Sequence, residues 1–270
     1  PIGDSNCVGC GQCAAVCPTG AIIIKNDSHR LWKELNQEDT IAVAQVAPAV
    51  RVAVAKEFGY NGENVMGKIV AALRRIGFNY IFDTSTAADL TVMEESKEFA
   101  DRLANGGKLP LFTSCCPAWI KYAENEYPEI LPNISTCRSP MQMFASVINE
   151  KFKGEGKKIL SVAVMPCTAK KGEAARDEFK DENGKPLVDF VITTQELIMM
   201  IKEAGIVFNE IEPEAVDMPF GTMTGAGVIF GVTGGVTEAV IRRVSTDKSL
   251  ASLRNLAFEG VRGFEGHKGA

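Results

Sequence analysis

Blocks of apolar residues repeat along this chain with two different periods. TIAVAQVAPAV (40–50), NYIFDT (79–84), LPLFTS (109–114), ILSVAVMPC (159–167) and LVDFVITT (187–194) are short apolar runs, and each predicts a buried strand. Between them the spacing widens to the helical repeat. NVMGKIVAALRRIGF (64–78) sets Val65, Ile69, Ala72, Leu73 and Ile76 on one face. RVAVAKEFG (51–59), residues 87–104, PAWIKYAENEY (117–127), QELIMMIKEAG (195–205) and TGGVTEAVIRRV (233–244) predict further helices, with Pro117 at a tolerated first-turn position. Strands alternating with helices predict an α/β fold on a parallel sheet. Ligands in such sheets gather beyond the carboxyl ends of the strands. TSCC and MPC both fall at such ends, so the pattern aims Cys115, Cys116 and Cys167 at one place.

Composition narrows the class. The 270 residues suffice for one large domain or two modest ones, and 46% apolar residues support a full core. A net charge of −5 argues against nucleic acid as the main partner, because phosphate binding needs a basic face. No apolar run is long enough for a membrane span, and the N-terminal PIGDSNC lacks the pattern of a secretory signal. The expected location is the cytoplasm. The missing initial Met leaves open that the gene begins upstream of residue 1.

Cysteine changes the picture most. Four of the eight cysteines sit in CVGCGQCAAVCP (7–18), with the spacing C-x2-C-x2-C-x3-C-P. Crowding of this kind, in a chain large enough to need no staples, predicts metal in a reducing compartment rather than disulfides. The spacing is that of bacterial ferredoxins that hold [4Fe–4S] clusters; a zinc knuckle would separate its cysteine pairs further. In two-cluster ferredoxins the fourth cysteine serves the other cluster. Two arrangements therefore stay open: Cys7, Cys10, Cys13 and Cys17 hold one cluster, or the chain starts partway through a two-cluster module. Residues 1–38 are assigned to this partial module and 39–270 to the α/β unit. The adjacent Cys115 and Cys116 pose a separate question, since neighbouring side chains point apart and rarely share one ion. Glu95, Glu98 and Arg102 stand three and four apart, on one helix face, which by itself predicts a solvated ion pair.

TSCCPAW (113–119) and MPCTAKKGEA (165–174) closely resemble two signature motifs of [FeFe]-hydrogenases. VMEESKEFADR (92–102), STCRSP (135–140), GAGVIFGVTGGV (225–236) and the opening cysteine run resemble further parts of that family. The resemblance implies the two-lobed hydrogenase catalytic domain around a cluster site, preceded by part of a ferredoxin-like module. It implies reversible H2 oxidation and proton reduction at an H-cluster, a [4Fe–4S] cubane joined to a diiron unit with CO, cyanide and a bridging dithiolate. Cys116 and Cys167 match two of four cubane ligands. Cys115 matches a thiol that passes protons instead of binding iron, followed by Glu98, Ser135 and Glu95 on the way to solvent. Lys170 matches the partner of a cyanide, while Lys171 is expected at the surface. Pro48 and Phe230 match packing positions around the diiron unit. Ferredoxin or other redox subunits are the implied partners, with H2 and protons as substrates, in an anaerobe.

Three departures are visible. No cysteine follows Cys167, so the two further cubane ligands of the family are not found, and the chain alone is expected to show little H2 activity. Cys137 matches no ligand position. Ala49 and Met141 stand where the family commonly has serine and glutamine near the diiron ligands. The alternative reading is a non-catalytic electron-transfer or sensory homologue that lacks the diiron unit. The Gly-rich stretch near 225–235 is one residue too long for a dinucleotide fingerprint and has no GK[ST].

Overall fold

The computed structural model describes Ile2, residues 5–230 and 234–245, and the backbone pairs 259–260 and 268–269. Part of the Gly-rich stretch, residues 231–233, lies outside the described residues. Four parallel strands form the central sheet: β1 (Thr40–Val46), β2 (Tyr80–Asp83), β3 (Lys158–Met165) and β4 (Phe190–Thr193), in the order β2-β1-β3-β4. Parallel strands need long crossovers, which place helices on both faces. Strand alternation then sorts the core. Ala42, Ala44 and Val46 of β1 join the cluster built by Val50, Val54, Ile69, Leu73 and Leu197. Val43 turns the other way, onto Phe82, Phe144 and Ile148. The first cluster belongs to α3 (Pro48–Glu57), α4 (Met66–Ile76) and α9 (Thr194–Glu203); the second to α7 (Pro140–Lys151).

The remaining helices are α1 (Gln12–Val16), α2 (Ser28–Leu35), α5 (Ser85–Asn105), α6 (Pro117–Glu126), α8 (Ala169–Ala174), α10 (Gly225–Ile229) and α11 (Gly235–Val244). α2 lies on α9 and β1, with Leu31 fully buried and the Trp32 indole donating to Glu203 at 3.0 Å.

Three predicted strands change. The 40–50 run stops at Val46, because Pro48 opens α3 at its first turn. LVDFVITT shortens to four residues, since Thr193 already caps α9. Its side chain accepts from the Glu196 amide, and Glu196 reaches back to the Thr193 amide at 2.7 Å. Thr193→Ala should therefore cost about 1 kcal/mol in chemical denaturation. LPLFTS is no sheet strand at all. It pairs by one parallel bridge, Phe112 with Ile134, so a loop rather than a sheet edge carries Cys115 and Cys116. Nothing in a short apolar run distinguishes these cases; the strand partner does.

Candidate metal and proton-transfer site

β3 ends at Met165, and Pro166 turns the chain so that Cys167 begins the loop before α8. Cys116 is the residue before α6, with extended backbone and an exposed side chain. Lys170 ties the two turns together. Its amide donates to the Cys167 carbonyl at 3.3 Å, and its ammonium donates to the Cys115 carbonyl at 2.9 Å. The same ammonium pairs with Glu173 at 2.5 Å, in a setting where both side chains are buried. Glu173 accepts from Ser139 with its other oxygen, at 2.5 Å. A lysine so enclosed is a fixed positive charge beside the cysteine pair.

The opening cysteine loop reaches the same region. Gly9 and Gly11 adopt φ of 72° and 78°, where a side chain would be strained. A Cβ at Gly11 would also meet the Thr168 hydroxyl at 2.9 Å. Thr168, next to Cys167, donates to the Gly9 carbonyl at 2.6 Å. A cavity of about 300 Å³ lies between Cys7, Gly9, Pro117, Thr168 and Glu173. Three cysteine-bearing segments thus meet, although the cysteine pair sits on a loop. Cys7, Cys10 and Cys13 are exposed and Cys17 is half-exposed. The Cys17 thiol is lowered to about 7, chiefly by the Ile22 amide and then by Thr19.

Among the described residues, no group of three or more cysteine, histidine or carboxylate side chains converges tightly enough for a single metal ion. Thiolates around a cubane stand further apart than ligands around one ion. Four thiols in eleven residues fit such a cluster by donor chemistry. Cys116 and Cys167 stand on the two turns that Lys170 joins.

Cys115 points elsewhere. Its thiol is enclosed, and burial pushes it up to about 11, with Lys170 pulling down and the Glu95 charge pushing up. Glu95 lies in the middle of α5, 1% exposed, and neither carboxylate oxygen has a hydrogen-bond partner. Burial raises it to about 7; Ser135 and the Ser114 amide lie close but form no well-made bond, and the Glu98 charge adds to the rise. The Ser135 hydroxyl donates to Glu98 Oε2 at 2.8 Å. Arg102 grips Glu98 Oε1 at 2.6 and 3.0 Å. Burial would raise Glu98 too, but Ser135 and Arg102 outweigh it and hold it below its ordinary range. Two carboxyls one helical turn apart are therefore driven in opposite directions. The simple surface ion pair of the sequence applies to Glu98 and Arg102, not to Glu95, and the order expected from the resemblance is reversed: Glu95 is the buried carboxyl beside the Cys115 thiol, while Glu98 lines the outer cleft.

Because the Glu95 pKa is raised, its neutral form stabilises the fold below about 4.5, and that stability is lost as pH rises through about 7. The wild type should accordingly lose on the order of 3 kcal/mol relative to Glu95→Gln between those limits. Parallel urea titrations at several pH values would show it; a pH-independent difference would refute it.

Other expectations are corrected or extended. Lys171 is not a surface lysine. It is largely enclosed between Asp27 at 3.1 Å and Glu196 at 3.0 Å, and it donates to the Val191 carbonyl at 2.7 Å. Glu173 and Ser139 had no sequence signal, because their roles arise only from packing against Lys170. Pro48 opens α3 and Phe230 ends α10, both half-buried and outside the hydrogen-bonded network. Met141 is buried, whereas Ala49 is exposed.

A four-cysteine run of ferredoxin spacing beside a parallel α/β sheet, with two further cysteine turns joined by a locked lysine, is the composition of an iron–sulfur protein. Residues 40–270 match the family described as iron only hydrogenase large subunit, C-terminal domain, and residues 1–23 match the 4Fe-4S binding domain family. The chain belongs to the iron-only hydrogenase large-subunit family. It is 45% identical over 280 residues to the NADP-reducing hydrogenase subunit HndD of Solidesulfovibrio fructosivorans, covering 100% of this chain and 48% of that protein. Iron hydrogenase 1 of Clostridium pasteurianum is 42% identical over 258 residues, which cover 94% of this chain and 45% of its own length. The chain thus spans about half the length of these relatives. Cytosolic iron-sulfur assembly component 3 of Bos taurus is 34% identical over 230 residues, 78% of this chain and 48% of that protein. A solved structure of an apo [FeFe]-hydrogenase, HydA1 from Chlamydomonas reinhardtii, superposes with a TM-score of 0.73 at 35% identity, over 90% of this chain and 64% of that one.

Proposed function

We propose that this chain carries proton and electron transfer for reversible H2 oxidation. In this reading residues 1–38 hold a [4Fe–4S] cluster on Cys7, Cys10, Cys13 and Cys17, and residues 39–270 hold the H-cluster through Cys116 and Cys167. When bound, that group supplies the redox-active iron site for 2H⁺ + 2e⁻ ⇌ H2. Lys170 orients an anionic ligand with its fixed charge, and Pro48 and Phe230 exclude water. Cys115 takes or gives a proton at Sγ. Glu95 exchanges it with Cys115, Ser135 passes it on through its hydroxyl, and Glu98 hands it to solvent beside Arg102. A thiol that stays neutral at pH 7 and a carboxyl poised near 7 suit this work, because neither traps the proton.

The observation that carries the reading is the unpartnered carboxyl of Glu95, buried between the Cys115 thiol and the Ser135–Glu98 pair. Soluble redox subunits or ferredoxin in the cytoplasm complete the proposal. Among the described residues no helix is long and apolar enough to cross a membrane, and one hydrogenase relative is named as periplasmic. A second reading, an iron–sulfur protein without H2 chemistry, is favoured by the 34% identity to an iron-sulfur assembly component and by the apolar Ala49 and Met141. Infrared spectra of the matured holoenzyme decide between them. CO and CN stretching bands with H2–D2 exchange support the first; cubane iron without those bands establishes the second.

A further inference from the structure

Glu98 Oε2 is crowded with donors. It accepts from the Ser135 hydroxyl at 2.8 Å, the Thr136 amide at 3.0 Å, the Thr136 hydroxyl at 3.2 Å and the Cys137 thiol at 3.6 Å. A carboxylate oxygen offers about two lone-pair directions, so these bonds compete, and the thiol is the weakest donor. Cys137 is half-buried and stands where two clefts meet. One, about 480 Å³, is shared with Ser114, Ser135, Arg138 and Glu173; the other, about 490 Å³, with Glu94, Lys97, Asp101 and Arg102. On its inner side it feels the charge of Glu95, the buried carboxyl without a partner.

We propose that Cys137 is a positioning residue of the relay: its S–H donates to Glu98 while that carboxylate is ionised, and its sulfur accepts the Glu98 O–H once a proton has arrived. This rests on the relay described above. A proton leaving Glu95 forms a bond to Ser135 Oγ as the proton already on Ser135 passes to Glu98 Oε2, so one O–H forms and one breaks at the serine. The Ser135 hydroxyl then faces inward and no longer donates to Glu98, while its oxygen, which already accepts from the Cys137 amide at 3.2 Å, has one lone pair left for the new Glu98 O–H. A bond to that lone pair returns the proton inward, so outward passage needs a second acceptor for the Glu98 O–H. The Thr136 amide and Arg102 can only donate. The Thr136 hydroxyl is exposed and shared with water, whereas the Cys137 sulfur is held in place by its half-buried site. Burial pushes the thiol up to about 11, so it stays neutral and retains no proton of its own beyond the S–H. Water in either cleft can then collect the proton.

The charged and titratable groups around Glu98 are Glu94, Glu95, Lys97, Asp101 and Arg102 from α5 and Cys137 from the facing segment. Losing one donor to the ionised form raises the Glu98 pKa. The test compares Cys137→Ala and Cys137→Ser in the matured holoenzyme. Cys137→Ala should slow turnover about three- to tenfold, the size of one weak hydrogen bond, and move the acidic limb of the pH profile upward. Cys137→Ser should restore both, because a hydroxyl donates and accepts. In the protein without the diiron group, the carboxyl infrared band missing from Glu98→Gln should titrate at higher pH in Cys137→Ala. An unmoved band, or equal slowing in both variants, overturns the inference. Cys115→Ser separates the two levels: if it stays active the relay itself fails, whereas an inactive Cys115→Ser beside an unchanged Cys137→Ala removes Cys137 alone.

Discussion

Replacing Cys115 by serine should lower H2 turnover of the matured holoenzyme by about 10²–10⁴-fold, the span of a lost general acid–base group, while leaving its iron content unchanged. The enclosed thiol sits against the charges of Glu95 and Lys170 and titrates near 11. A serine hydroxyl in that place is a far weaker acid. It fills the space and can still form hydrogen bonds, but it does not release a proton on the time scale of turnover. Cys116 next to it is exposed, so the thiolates proposed to hold iron are untouched. Iron analysis together with a turnover assay checks the result. A loss of iron in Cys115→Ser would mean that the two adjacent cysteines have exchanged roles.

Lys171→Ala should be the most damaging substitution for stability, at about 3–5 kcal/mol in chemical denaturation. The lysine joins three parts of the chain: Asp27 before α2, Glu196 in the first turn of α9, and the Val191 carbonyl of β4. Both carboxylates are buried and the lysine is nearly so, with side-chain exposures of 13% for Lys171, 9% for Asp27 and 7% for Glu196. Without the cation, two carboxylates face each other away from water. Lys25 and Arg30 still reach Asp27, and the amides of Asp27 and Thr193 still reach Glu196, which puts the expected loss toward the lower end. Burial alone would raise the Asp27 carboxyl, but Lys171 and Lys25 hold it below its ordinary range. That contribution is present above the unfolded pKa and disappears as pH falls through the folded one. The difference between wild type and Lys171→Ala should therefore shrink in acid. A neutral pair, Lys171→Met with Glu196→Gln, should recover part of the loss; if it is no better than Lys171→Ala, the cost lies in packing and not in unpaired charge.

The same two sites mark how far a linear reading reaches. The four-cysteine run, the TSCCPAW and MPCTAK motifs and the alternation of strands and helices are local patterns, and each depends on bonds or periods within a few residues. They identify the family and the residue types of the site. Lys171 could not be read this way. A lysine beside another lysine carries no sign of burial, and its partners are 144 and 25 positions away. Glu95 and Glu98 look equivalent in sequence. Only the depth of α5 in the fold and the approach of Ser135 from 37 positions beyond Glu98 separate a raised carboxyl from a lowered one. The strand expected at 109–114 failed for the same reason, since a strand is defined by its neighbour.

By itself, then, the sequence determined the chemistry available to this protein: which thiols, carboxyls and cations exist, and in which short turns they sit. The tertiary structure alone decided which of them are dry, which are paired and which face one another. Protonation depends on burial and on charges within a few ångströms, and those distances are set by long-range packing, not by spacing along the chain.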